Sequence, residues 1–346
     1  MRIVTIDCGT TNSRVYVIDE EGNVYGKGTR KVGVRDTSIT GSRARLQAGL
    51  KEAIDEALGN AGIGYGDIAF IISSGMITSE IGLKELPHLA APVSMDDLAD
   101  NIERIEDPAV FPPGVPVYFI RGIKNSFGPG KVQFGDVGRL DFMRGEEAQV
   151  AGLLKLELAQ PPFSAVILSS HTKYIPVDGD GAVQGSVTTL SGQVFEALLS
   201  SSSIGKSMMP DDDESRTHDS KHTGLDEEVI ESAFRWIGET GLLRSLLMTR
   251  FLDVLMETEW RQRRLFVEAC IAAEDIKALS QYPSLGFEKD TPYVLIGKSG
   301  RCELYRSLIS RKAGVTHDIH IVSEEQIIDS LSIQGALYLA KKAHIY

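Results

Sequence analysis

The stretch RIVTIDCGTTNSRVYVIDEEGNVYG, residues 2–26, decides the reading of this chain. Arg2 to Ile6 and Arg14 to Ile18 carry the alternation and β-branched residues of strands, so two strands flank the loop Asp7-Cys8-Gly9-Thr10-Thr11-Asn12-Ser13. Asp19-Glu20-Glu21-Gly22-Asn23 then turns the chain into a third strand, Val24 to Thr29. The loop has two readings. Gly9 permits close approach of backbone to a ligand, the Thr hydroxyls and free amides suit phosphate oxygens, and Asp7 at a strand end suits Mg²⁺ held through water. Gly, Thr and Asn are equally turn formers, which leaves an ordinary polar β-turn as the other reading.

A second stretch repeats the order. In SAVILSSHTKYIPVDGDGAVQGSVTTL, residues 164–190, Ala165 to Leu168 is a short apolar strand and Ser169 to Thr172 a hydroxyl-rich turn. Lys173 to Val177 is a second strand, Asp178 to Gly181 a hairpin turn, and Ala182 to Thr188 a third strand. Two copies about 160 residues apart point to two related domains. The first copy leads into an amphipathic helix from Gly41 to Asn60, a strand Ile68 to Ser73 and a strand Val115 to Ile120. After the second come Gln193 to Ser200, a long helical region from Asp226 to Leu279, a strand Tyr293 to Gly297, a helix Cys302 to Lys312, a strand Ile319 to Ser323 and a last helix Leu331 to Lys342. The polar segment from Ser200 to Gly224 reads as a mobile loop.

The totals set bounds. A chain of 346 residues with 42% hydrophobic and 24% charged residues can bury two cores. A net charge of −12 disfavours nucleic-acid and anionic membrane surfaces and favours small-molecule partners, an anion in a locally basic cleft included. Cys8, Cys270 and Cys302 are too scattered for a disulfide framework or a cysteine metal site; the chain starts directly in a strand, and no run of about eighteen apolar residues appears. The cytoplasm is the expected compartment.

Four segments resemble the 2-dehydro-3-deoxygalactonokinase family of the sugar kinase, hexokinase and actin superfamily. Asp7 to Arg14 resembles its Asp-x-Gly-Thr-Thr-Asn-x-Arg signature, and Ser74-Gly75-Met76-Ile77-Thr78-Ser79, with Glu85, Pro87 and Pro92, its Gly-Met-x-Gly-Ser segment and following prolines. Asp141-Phe142-Met143-Arg144-Gly145-Glu146-Glu147-Ala148-Gln149 is similar to Asp-x-Met-Arg-Gly-Glu-Glu-x-Gln, and Thr189 to Phe195 to Thr-x-x-Thr-Gly-Glu-x-Phe. The resemblance implies an α/β chain of two ribonuclease H-like domains, residues 1–138 and 139–346, around a nucleotide cleft, with the last helix packing back on the first domain. It implies transfer of the γ-phosphoryl group of ATP, with Mg²⁺, to the 6-hydroxyl of 2-dehydro-3-deoxy-D-galactonate or a close acid sugar, and leaves a homodimer open. A nucleotide-binding sensor of the same fold is the alternative.

Residue by residue, Asp7 is expected to hold the metal, and Gly9, Thr10 and Thr11 the phosphates. Asn12, Arg14, Gly75, Met76, Ser79 and Arg144 are expected at the sugar, Arg144 being the natural partner of its carboxylate. Asp141, Glu146 and Glu147 are the candidate catalytic carboxylates, with Asp141 and Glu146 ranked first; acids in a first helical turn also serve as caps. Ser170, His171, Thr172 and Lys173 form the second phosphate turn, and Gly297, Lys298 and Ser299 resemble the adenosine-contacting loop; the Walker spacing is absent. The family's second phosphate motif, Pro-Gly-Thr-His-Ser/Cys-Lys-Trp, stands here as Leu168-Ser169-Ser170-His171-Thr172-Lys173-Tyr174, so a Cβ replaces the glycine beside the phosphates.

Overall fold

Residues 2–8 are buried on both faces, as a strand in the middle of a sheet must be. The computed structural model describes residues 1–128, 130–210 and 225–346. It divides into two compact units, one of residues 1–163, 176–186 and 325–346, the other of residues 164–175 and 187–324.

In the first unit β1 (Arg2–Cys8), β2 (Ser13–Ile18) and β3 (Val24–Arg30) form the expected antiparallel hairpins. Two helices follow, α1 (Val34–Thr40) and α2 (Ala44–Ala61). The helix expected from Gly41 begins at Ala44 because Gly41, at φ 68°, ends α1: its N–H donates to Thr37 O. Leu46, Leu50, Ile54 and Leu58 form the buried stripe of α2. Next come β4 (Ile68–Gly75), β5 (Leu89–Ala90), α3 (Met95–Asp100), β6 (Glu103–Ile105), β7 (Val117–Phe119), β8 (Ile123–Lys124), β9 (Phe142–Met143) and α4 (Glu146–Lys155). Among the described residues the main sheet runs β3-β2-β1-β4-β7-β6, with β1, β4 and β7 parallel, and β5-β8-β9 form a small sheet.

The second unit repeats the plan. β10 (Phe163–Leu168), β11 (Thr172–Val177) and β12 (Val187–Thr189) are followed by α5 (Ser191–Ser201), α6 (Glu227–Val254), α7 (Trp260–Asp275), α8 (Tyr282–Leu285), β13 (Tyr293–Ile296), α9 (Ser299–Lys312) and β14 (Ile319–Val322). The strand order is β12-β11-β10-β13-β14, with β10, β13 and β14 parallel. Two sheets with the same hairpin-then-parallel order make the fold that of the actin and hexokinase ATPases. α10 (Glu325–Lys342) closes the chain in the first unit and crosses α4 so closely that a Cβ on Gly335 would lie 1.8 Å from Ala148 O.

Three expectations need correction. The third strand of the second hairpin is short: Val183 makes isolated bridges to Val177, at the end of β11, and to Val93, and the strand that pairs with β11 is confined to Val187 to Thr189. The helical region 226–279 is broken at Gly241 (φ 76°, ψ 171°), again after Val254, and ends in a 3-10 turn, Ile276–Gln281. In the segment expected to be mobile, Ile204 and Met208 are buried in the core of the second unit and Lys206–Met208 is a 3-10 turn; residues 211–224 lie outside the described residues.

Candidate active site

The loop between β1 and β2 is closed by Gly9 N–H donating to Asn12 O at 2.9 Å. Thr11 and Asn12 are exposed at its tip, and Asn12 Nδ2 donates to Thr11 Oγ1. Antiparallel register sets Asp7 opposite Arg14, and Arg14 Nη1 reaches Asp7 Oδ2 at 3.2 Å. Burial pushes the Asp7 carboxyl above its ordinary pKa, against the charge and hydrogen bond of Arg14, while Asp329 raises it further. Asp7, Thr5, Tyr16 and Ser74 line a small hollow that Ser332 and Ala336 of α10 close. Asp329, one turn earlier on α10, accepts from Tyr16 Oη and Lys27 Nζ, both at 2.9 Å. Sequence reasoning missed Asp329, because an acid near the start of a helix carries no sign of the strand it meets.

Parallel pairing of β1 with β4 puts Cys8 beside Gly75, which has φ 95°; a Cβ there would lie 2.5 Å from Cys8 O. Gly145, at φ 112°, stacks on the other side, where a Cβ would lie 3.2 Å from Gly75 Cα. Three segments far apart in sequence therefore meet backbone to backbone: the end of the Asp7 strand, the Gly75-Met76 turn, and the Arg144 to Glu147 motif. Met76 opens the 3-10 turn after β4, Met76–Thr78, and Ser79 caps its end, with Ser79 Oγ donating to Met76 O at 2.8 Å.

The three candidate carboxylates occupy different surroundings. Glu147 is fully buried, and both its oxygens accept from Gly145 N–H at 2.8 Å; burial, with Glu146 beside it, pushes its pKa up to about 8. It closes the turn at the head of α4. Asp141 accepts from its neighbour Phe142 N at 2.7 Å and from Ser186 Oγ at 3.0 Å, at the edge of the small sheet. Glu146 is half-buried next to the three-segment junction, with Oε2 accepting from Arg144 N at 3.2 Å. Arg144, only 9% exposed, donates to Thr78 Oγ1 at 2.5 Å and Leu86 O at 2.9 Å. Its expected role at a sugar carboxylate thus meets a guanidinium already engaged in holding the turn after β4, and burial lowers its pKa.

In the second unit the corresponding turn follows β10. Ser169 Oγ donates to His171 O at 2.8 Å, and Ser170 Oγ lies 3.4 Å from His171 Nδ1. Burial and then Lys173 lower the His171 pKa. Lys173 is buried, with Nζ donating to Thr188 Oγ1 at 2.8 Å; Thr172 Oγ1 and Ser191 Oγ lie 2.6 Å apart. Gly192 lets α5 start directly against the turn, since a Cβ there would lie 2.2 Å from Ser169 O. Gly297, Lys298 and Ser299 form the strand-to-helix turn before α9, with Lys298 and Ser299 exposed. Arg301, another residue the sequence reading missed, ties this helix to the Ser169 turn and to Ser191. Its signal was a cation in a first helical turn, where the macrodipole disfavours one.

Comparison with known proteins bears on both units. The family model described as 2-keto-3-deoxy-galactonokinase matches residues 7–331. A curated protein of Rhizobium meliloti (strain 1021), named "Probable 2-dehydro-3-deoxygalactonokinase", is 25% identical over 193 residues, 56% of this chain. The chain spans 55% of the length of that relative in the match. A crystal structure from Sinorhizobium meliloti, of a "putative 2-dehydro-3-deoxygalactonokinase protein", superposes with a TM-score of 0.69 at 19% identity, covering 98% of each chain. That likeness shows the shared fold.

Proposed function

The chain belongs to the 2-keto-3-deoxy-galactonokinase family, and from that premise we propose that it transfers the γ-phosphoryl group of ATP to the 6-hydroxyl of 2-dehydro-3-deoxy-D-galactonate or a close 2-keto-3-deoxy acid sugar. The observation that supports this reading most is the junction of Cys8, Gly75 and Gly145, which sets a phosphate-type loop, a substrate-type turn and a carboxylate motif side by side.

Phosphoryl transfer asks for placement and charge neutralisation more than for covalent chemistry. The amides and hydroxyls of Gly9, Thr10 and Thr11 suit phosphate oxygens, and Arg14 suits either a phosphate or the sugar carboxylate. Asp7 would hold Mg²⁺ through water. It fits: Asp7 is a partly buried carboxylate at a strand end, and burial disfavours its charged form despite Arg14, so an added cation would favour the carboxylate further. Among the described residues no group of three His, Cys, Asp or Glu surrounds it, which suits an ion bound mostly by phosphates and water. When bound, the ion neutralises charge on the phosphates. Of the three candidate carboxylates, Glu146 is the one we assign to take the proton of the attacking hydroxyl, since Glu147 is internal and Glu146 lies half-buried beside the three-segment junction, held by Arg144 N–H. Arg144 positions the Thr78 turn and Glu146.

Among the described residues no helix is long and apolar enough to cross a membrane, and a cytoplasmic site of action belongs to the same proposal. A coupled ADP-release assay across aldonates and 2-keto-3-deoxyaldonates tests it: release is expected with at least one acid sugar and requires Mg²⁺. A second reading, a nucleotide-binding sensor of the same fold, draws on Leu168-Ser169 standing where the family keeps Pro-Gly. ATP binding without release of ADP on any sugar in the panel would replace the first reading by the second.

A further inference from the structure

Arg301 sits in the first turn of α9, which holds no acidic residue. A cation there faces the positive end of the helix dipole, so its position has to be favoured by something else. Its guanidinium donates from Nη1 to Ser169 O at 2.8 Å, and from Nη2 to Thr172 Oγ1 at 3.0 Å and Ser191 Oγ at 2.8 Å. One planar fork therefore joins three segments: the turn after β10, the head of α5 and the turn before α9. A second tie runs alongside, as Gln193 N–H donates to Ser170 O at 2.9 Å.

We infer that Arg301 is a positioning residue for nucleotide phosphates, holding the Ser169 to Lys173 turn in its binding shape and supplying a permanent positive charge beside it. The inference rests on the kinase reading above. Ser169 gives the turn a side chain where a glycine would leave bare backbone, and an external brace restricts the shapes that such a turn can take. Arg is suited to the task because its donors lie in one fixed plane and its charge persists at every working pH. A lysine would keep the charge but could not satisfy three acceptors in that plane. The brace acts on the phosphate end of the nucleotide, so it should discriminate among nucleotides by their phosphates.

Calorimetric titration of the full chain with ATP, ADP and AMP tests this, for wild type, Arg301→Ala and Arg301→Lys, with thermal melting of each as a check on folding. Arg301→Ala is expected to weaken ATP and ADP at least tenfold while AMP changes less than twofold, and Arg301→Lys to fall between the two. Added guanidinium ion at millimolar concentration is expected to restore part of the ATP affinity of Arg301→Ala and none to wild type. Equal losses for ATP and AMP, or unchanged ATP affinity, would overturn the inference, as would a lowered melting temperature with no change in nucleotide preference. If Arg301→Ala does not fold, the Lys variant decides by the same criteria. Wild type that binds none of the three would instead defeat the kinase reading.

Discussion

Asp7 shows what a fold adds to a residue that carries two readings in a sequence. As part of a polar loop it could serve any turn; at the end of a central strand, paired with Arg14 and facing a hollow closed by α10, it is a carboxylate held under burial. Asp7→Asn keeps the shape and removes the charge, so kcat should fall by more than tenfold, about 1.4 kcal/mol of transition-state stabilisation, with the melting temperature held or raised. Glu146→Gln should lower kcat about a hundredfold with little change in KM for ATP, as removal of a general base does; steady-state kinetics reads both. Glu147 makes a different kind of claim. Its pKa is raised to about 8 from an unfolded value near 4.5, so between these the folded chain binds a proton that the unfolded chain has released. Stability from this group is therefore lost as pH rises from about 5 to about 8. Glu147→Gln, which can still accept from Gly145 N–H, should flatten that slope in urea midpoints measured across the range; an unaltered slope would show that Glu147 is ionised in the fold.

The opening hairpins were legible because alternation, turn chemistry and β-branching agree from Arg2 to Arg30. α2 was legible for the same reason, and only its start was misplaced, because Gly41 signals an end more strongly than a beginning. The third strand of the second hairpin was not, since Val183 finds its partner in Val93, some ninety residues away, and no local pattern marks that. Ile204 and Met208, four residues apart in a serine-rich stretch, are too few to form a visible stripe but enough to anchor a turn. Of the candidate site, the types of residue could be read and their duties could not: Arg144 and Glu147 look alike in the motif as charged groups, and only packing shows both spent on holding turns. The α4–α10 crossing is where an element supports the site. A Cβ on Gly335 would press on Ala148 O at 1.8 Å, so Gly335→Ala should cost about 1–3 kcal/mol in unfolding free energy. Because α4 begins at Glu146, the same substitution should lower kcat, whereas Gly300→Ala, whose Cβ meets nothing within 4 Å, should leave the unfolding free energy nearly unchanged.

At the scale of the molecule, the same sheet order occurs in both units, and of the four motifs spread from Asp7 to Phe195 three lie in the first unit and one in the second. Each unit places its loop at the same point, the turn between the first two strands of its sheet, and Gly75, Gly145 and Gly192 let backbones close around these turns. That residues 176–186 belong with the first unit was beyond local reading, because tertiary pairing such as Val183 with Val93 decides it, whereas the return of the last helix was an expectation of the resemblance. With a net charge of −12, the proposed acid-sugar substrate would need local cations, and Arg14 is a candidate in the first unit, its side chain 44% exposed. The central claim is transfer between two small molecules, and the most direct measurement follows the phosphoryl group itself. With ATP labelled in the γ-phosphate, Mg²⁺ and 2-dehydro-3-deoxy-D-galactonate, the label should appear in an organic ester whose phosphorus couples to the C6 protons in NMR. Label released only as inorganic phosphate, or retained in ATP across the whole panel of acid sugars, would contradict the account.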